Sequence, residues 1–383
     1  MRIKKCLLLV FIISDMLMLS GCWNYRELSD MAIITGIGID RAEDGELDVT
    51  FEIIDYKTAS AIQAIKTETF QSKGKTLFEA TRHAIKLTGM KLYWAHAQVA
   101  VISEEVARDD IIPIIDLMIR DHEIRSDIHL IIAKDVLAKD IITTMALTMN
   151  NQSYELALMI HNSDSSGEIP KVHLYQFINA MGTDGKEPVL PSVTLMDDID
   201  KKIVASTGSA VFKGSRLRGF ISNEETMWYL FVTNEIKSGL LTMHLDPKKP
   251  KETVSFEIFR SETEMKPVFS NQSVSMSIKI KLLVKLNEIA GETNYADGKQ
   301  QNELEDKASE QLKENIMALI EKMKKEFDLD IFGFGNVVYQ EKPLFFEKVK
   351  SSWDQQYQNL KVELQVQVKN KSTGVFNKAI EGD

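Results

Sequence analysis

From Ser273 to Ile289 every second residue is apolar through Val274, Met276, Ile278, Ile280, Leu282, Val284 and Leu286. A period of two places these side chains on one face, so the segment predicts a long, half-buried strand. Leu47, Val49, Phe51 and Ile53 alternate in the same way, and Asp44-Gly45 before them predicts a hairpin with a strand over 32–40. A helical period governs 302–327, where Leu304, Ala308, Leu312, Ile316, Leu319, Ile320 and Met323 form one stripe read as core packing. Thr76, with Glu79 three residues on, predicts the cap of a helix running to Leu87. Further strands are expected over 67–73, 92–102 and 128–133, and further helices over 111–120, 136–146, 153–160 and 172–180. Strands alternating with helices through this first half predict a central sheet with helices packed on it.

Beyond Pro191 the pattern breaks. Met196-Asp197-Asp198-Ile199-Asp200-Lys201-Lys202 reads as a charged linker, and its acids lack the glycine and distal glutamate of a calcium loop. A second unit follows: strands over 206–212 and 217–221, a helix over 224–234 led by Ser222-Asn223, and strands over 240–245 and 254–260. The third unit holds the long alternating strand, the long helix, a helix over 345–357 and a strand over 360–368 that joins the same sheet. The expected organisation is a leader over 1–21, an N-terminal unit over 22–197, a middle unit over 203–262 and a C-terminal unit over 263–383.

The leader has its own logic. Arg2, Lys4 and Lys5 precede an apolar run from Leu7 to Leu19, interrupted by Asp15 and too short to remain as a spanning helix. Leu19-Ser20-Gly21-Cys22 closes it and resembles the bacterial lipoprotein box. That resemblance implies cleavage between Gly21 and Cys22, with Cys22 taking an S-diacylglyceryl group and an N-acyl chain such as palmitate. Two acyl chains give stable anchoring where one is marginal. Cys6 leaves with the leader, so no thiol remains for a disulfide or a thiolate metal site. The leader's three cations and one acid make +2, so its removal takes the formal charge from −10 to −12. That acidity argues against nucleic acid and against attraction to anionic lipid.

The chain carries no Gly-x-Ser-x-Gly elbow, and His122-Glu123 lacks the second histidine of a zinc helix. Gly36-x-Gly38 and Gly333-x-Gly335 lack the third glycine of a dinucleotide loop, and Gly74-Lys75-Thr76 lacks the leading glycine of a phosphate loop. Arg120 to Arg125 reads as a charged, solvated turn before a buried strand. No catalytic residue, metal ligand or cofactor is expected.

Several segments, in order, resemble the Ger(x)C family, the lipoprotein C subunits of spore germinant receptors. They are Gly21-Cys22-Trp23-Asn24-Tyr25-Arg26-Glu27-Leu28, then His96-Ala97-Gln98 with Ser103-Glu104, and Arg120-Asp121-His122-Glu123. Gly208 to Gly214 follows, and Asp330-Ile331-Phe332-Gly333-Phe334-Gly335 with Trp353 completes the set. The resemblance implies an α+β protein of three domains, each a mainly antiparallel or mixed sheet flanked by helices. It also implies a non-catalytic lipoprotein on the extracytoplasmic face of the spore inner membrane. The implied partners are two integral membrane subunits, one permease-like, in a complex that answers nutrients and triggers germination. The alternative is a solute-binding lipoprotein of an uptake system, whose buried parallel strands fit the long alternating strands less well.

Overall fold

The computed structural model describes residues 30–55, 66–244, 253–270, 273–290 and 298–371, with Glu27 and isolated positions before it. Most of the expected leader, and Leu19 to Cys22 with it, lie outside the described residues.

β1 (Met31–Arg41) and β2 (Leu47–Asp55) form the expected hairpin about Gly45, whose φ of +83° suits the tight turn. β3 (Lys66–Gly74) pairs with β2, and α1 (Leu77–Thr88) follows, with Thr76 Oγ1 accepting from Glu79 N as its cap. β4 (Lys91–Tyr93) and β5 (Val99–Ser103) both run parallel to β1, next to successive parts of it. The single strand expected over 92–102 is therefore two, separated by a turn that sends Trp94 into the core. After α2 (Glu104–Asp109) and α3 (Ile112–Arg120), β6 (His129–Ala133) pairs with β5. α4 (Ala138–Thr143), α5 (Gln152–His161) and α6 (Leu174–Met181) lead to β7 (Val189–Asp198), β8 (Lys201–Lys213) and β9 (Arg216–Ile221). Among the described residues this sheet has nine strands, in the order β3-β2-β1-β5-β6-β7-β8-β9, with β4 beside β1.

Both faces of the sheet are covered. Ala100, Ile102, Leu130 and Ile132 point toward α1, α2, α3 and α6, while Val99, Val101 and Ile131 point toward α4 and α5. Gly36 and Gly38 lie on the second face. A Cβ at Gly36 would sit 2.0 Å from Ser153 Oγ, and one at Gly38 2.9 Å from the Ala138 backbone, so these glycines admit helices at close range. Two buried acids fix the same helices. Asp40 accepts from Ala138 N and Lys139 N at 2.8 Å each, and burial pushes its carboxyl above the usual range. Glu52, opposite Gly36 on β2 and on the same face, accepts from Gln152 N and Ser153 N at 3.0 Å each and so caps α5.

The second sheet runs β10 (Gly239–Met243), β11 (Thr253–Ser270), β12 (Ser273–Ala290) and β13 (Lys361–Asn370). Its pairs are antiparallel except β12 with β13. Met276, Ile278, Ile280, Leu282 and Val284 are buried, as the alternation requires. They face α7 (Asn223–Val232) and α8 (Gly298–Lys322), then α9 (Phe334–Glu341), α10 (Pro343–Val349) and α11 (Trp353–Gln358). α7 opens with a capping box between Ser222 and Glu225.

Two expected boundaries differ from the structure. The linker over 196–202 is a β-hairpin inside the first sheet, with Asp198 opposite Lys201 and Asp197 opposite Lys202. Opposite charges across strands stabilise such a pair, while in sequence they read as a solvated linker. The division at 262/263 falls inside β11, which pairs with β12 along its length. The middle unit over 203–262 thus has no sheet of its own: β8 and β9 belong to the first, β10 and β11 to the second. The helix expected over 345–357 is broken at Lys350–Ser352 by a 3-10 turn.

Candidate functional site

The residue to which the sequence assigns chemistry, Cys22, and its flanking Leu19, Ser20 and Gly21 lie outside the described residues. The other family-like segments can be followed into the fold. His96-Ala97-Gln98 carries the ladder between strands: Gln98 N donates to Thr35 O at 2.7 Å, and His129 N donates to Gln98 O at 2.9 Å. Gly208 sits in β8 with φ +98°, where a Cβ would lie 2.1 Å from Ile221 O.

Arg120 to Glu123 borders a groove of about 690 Å³ between α1 and α3. Leu92 and Trp94 form its floor, Phe78 and Leu117 line it, and the Arg82 guanidinium stacks 4.7 Å over the Phe78 ring. Arg120 pairs with Asp116 at 2.8 Å, and Lys91 of β4 pairs with Glu123. The turn is only partly solvated, because Ile124 is buried and plugs it into the core. After it, His129 stacks on His173 with ring centroids 4.3 Å apart. Burial and then the neighbouring His173 lower the His129 pKa to about 4, so this ring is neutral at physiological pH.

The most highly organised group is the last family-like segment. Asp330 is fully enclosed and receives three donors: Phe334 N at 3.0 Å, Gly335 N at 2.8 Å and Trp353 Nε1 at 3.0 Å. Burial, set against those donors, raises its pKa to about 6. The 3-10 turn that breaks the helix precedes Trp353 and brings the indole to this acid. The loop before β7 closes on the same knot. Glu187 N donates to Asp330 O at 2.9 Å, Asn336 N to Gly185 O at 3.1 Å, and Lys350 meets Asp184 at 2.5 Å. Glu187, its carboxyl pushed up by burial, accepts from Gly214 N at 2.7 Å. A Cβ on Gly335 would lie 2.6 Å from Gly185 Cα and 2.6 Å from Trp353 Nε1. The Gly-Phe-Gly of this segment is therefore a close crossing of two backbones that fastens the first sheet to the second core. An enclosed acid with its oxygens occupied by donors positions structure and offers no access to a substrate.

Sequence reasoning missed Asp330, Glu52 and Asp40 as fixing points, since their partners lie far along the chain or on backbone amides. Among the described residues no group of three or more His, Cys, Asp and Glu side chains is placed to hold a metal ion, and no helix is long and apolar enough to cross a membrane.

Residues 24–195 match the family described as spore germination protein N-terminal domain, and residues 207–374 match that described as spore germination B3/GerAC like, C-terminal. The two matches meet across the β7–β8 hairpin. Among curated proteins, the chain is 25% identical to spore germination protein KC of Bacillus subtilis (strain 168), over 99% of this chain and 98% of that one. It is 22% identical to spore germination protein B3 of the same organism, covering 89% and 90%. It is also 22% identical to that organism's spore germination protein A3, covering 92% and 94%. A solved structure titled "Crystal Structure of the GerBC protein" superposes with a TM-score of 0.56 at 18% identity, over 88% of this chain and 97% of that one, which shows the α+β fold. With both family regions present in order over nearly its whole length, the chain belongs to the Ger(x)C family of spore germination proteins.

Proposed function

We propose that this chain is the lipid-anchored, non-catalytic subunit of a membrane germinant receptor that lets dormant spores respond to nutrients. The ordered match to both regions of the germination family carries the reading. Leu19-Ser20-Gly21-Cys22 at the end of an apolar run supports lipidation of Cys22 on the extracytoplasmic face. Its partners in this reading are two integral membrane subunits, one permease-like. Its mechanism is positional: a tether converts encounter with those subunits into a local event at high effective concentration.

Cys22→Ala in spores is the test. Loss of palmitate labelling, release of the chain from the inner-membrane fraction and a slowed response to nutrient are the expected results. Undiminished retention with a normal response refutes the anchor. An affinity tag on the wild-type chain is expected to co-purify two integral membrane proteins, and recovery of the chain alone refutes the complex. Calorimetry with amino acids and sugars separates the uptake-system alternative, for which tight binding to this chain is required.

A further inference from the structure

Fourteen consecutive residues, Ile141 to Tyr154, carry no charge, in a chain of which 27% is charged. Their middle is the loop joining α4 to α5, and it is held in shape. The Glu155 carboxylate accepts from Leu147 N at 2.8 Å, Thr148 N at 2.6 Å, Met149 N at 3.1 Å and Thr148 Oγ1 at 2.9 Å. That clasp fixes the loop on the first turn of α5 while its apolar side chains stay outside. Met145 is 78% exposed, Leu147 54% and Met149 41%. Tyr154 and Leu158, one turn apart on α5, are also exposed. An ordered, uncharged set of apolar tips in water marks a contact surface.

Its position indicates the occupant. Asn151 Nδ2 donates to Thr35 Oγ1 at 2.9 Å, and Thr67 Oγ1 donates to Asn150 O at 3.4 Å. Thr67 pairs with Ile54, beside the final Asp55–Lys66 pair, and Thr35 lies four residues into β1. The loop is therefore at the end of the sheet where β1 begins. Cys22 precedes Met31 by nine residues, a reach of at most about 30 Å when fully extended. On the other face of the sheet, the groove near β4 is rimmed by Lys91, Arg120, Asp121 and Glu123, which suit water.

We propose that the 144–149 loop, with Tyr154 beside it, inserts into the headgroup boundary of the bilayer and sets the orientation of the protein on its tether. The proposal rests on the Cys22 anchor proposed above. Methionine and leucine tips with an adjacent tyrosine match the chemistry of that boundary. The mature charge of −12 offers no attraction to anionic lipid, so the contact is apolar.

The lipidated full chain has no free thiol once Cys6 is removed and Cys22 is acylated, so Leu147→Cys accepts a single environment-sensitive fluorophore. Glu43→Cys, in the hairpin turn at the far end of the sheet, is the control. Both proteins are reconstituted in vesicles of phosphatidylethanolamine and phosphatidylglycerol and recovered by flotation. The expected result is blue-shifted emission at 147, quenched several-fold more by lipids with a nitroxide high on the acyl chain than emission at 43. Equal, water-like emission at both positions in floated protein overturns the proposal and leaves the anchor intact. A blue shift at 147 without lipid quenching assigns the face to a second copy of the chain and also overturns it. Protein that fails to float refutes the anchor reading, and this proposal with it.

Discussion

Replacing Asp330 by Asn keeps the volume of the buried carboxyl and removes its proton equilibrium. The consequence lies in how stability depends on pH. Below its ordinary pKa of 3.8 the acid is neutral in folded and unfolded chains alike. Between 3.8 and about 6 the unfolded chain releases the proton while the folded chain keeps it, so stability is lost as pH rises through this window. A gap of roughly two units corresponds to about 3 kcal/mol. At pH 4 the protonated carboxyl keeps acceptor lone pairs on both oxygens for Phe334 N, Gly335 N and Trp353 Nε1, whereas the amide nitrogen of Asn can only donate, so Asp330→Asn starts below the parent there by about 1–3 kcal/mol. It is expected to gain about 3 kcal/mol relative to the parent by pH 7. Asp330→Ala shares that slope but is less stable throughout by about 2–5 kcal/mol, since three donors lose their acceptor and a void remains. Urea unfolding at a series of pH values, followed by tryptophan fluorescence and far-ultraviolet circular dichroism, measures both. If the Asn variant instead loses ground against the parent as pH rises, the three donors outweigh burial and the carboxyl is held low, which refutes the reasoning.

His129 predicts the opposite slope. Its pKa of about 4 lies below the ordinary 6.5, so stability falls as pH drops through that interval, by up to about 3 kcal/mol. His129→Gln is expected to flatten the acid side of the profile, and an unchanged acid limb in urea titrations counts against a buried neutral ring. At Gly335 an added methyl meets the Gly185 backbone and the Trp353 indole nitrogen. Gly335→Ala is therefore expected to cost about 3 kcal/mol or more and to expose the 183–188 loop; thermal melts and limited proteolysis check this, and wild-type melting and cleavage would refute the crossing.

The parts of the fold visible in the sequence are those where one face is apolar and the other polar. β12 and α8 were legible because their partners lie on one side only, so period alone fixes them. The second half of β11 was not. Glu262, Glu264 and Lys266 alternate with Ser261, Thr263 and Met265, and only pairing with the adjacent β12 makes that segment a strand. The β7–β8 hairpin hid for a related reason. Its two aspartates and two lysines are complementary across strands, a relation that linear order does not display.

The site residues divide along the same line. Chemistry carried by contiguous residues, such as the lipidation proposed for Leu19 to Cys22, is written in linear order. Chemistry carried by long-range geometry cannot. Gly36-x-Gly38 invited comparison with a nucleotide loop and failed it. The glycines are there because α4 and α5, a hundred residues or more later at Ala138 and Ser153, need the backbone of β1 at van der Waals range. The Asp330 segment enters the sequence reading only through its family likeness, with no role attached. Its glycines and tryptophan converge on one enclosed acid at the meeting of two cores. Segments that resemble a family therefore include scaffold whose geometry lets the two sheets of this chain meet. A surface that meets its surroundings, as proposed for Met145, Leu147 and Met149 at the bilayer, is better sought where order costs exposure than where order is explained by packing.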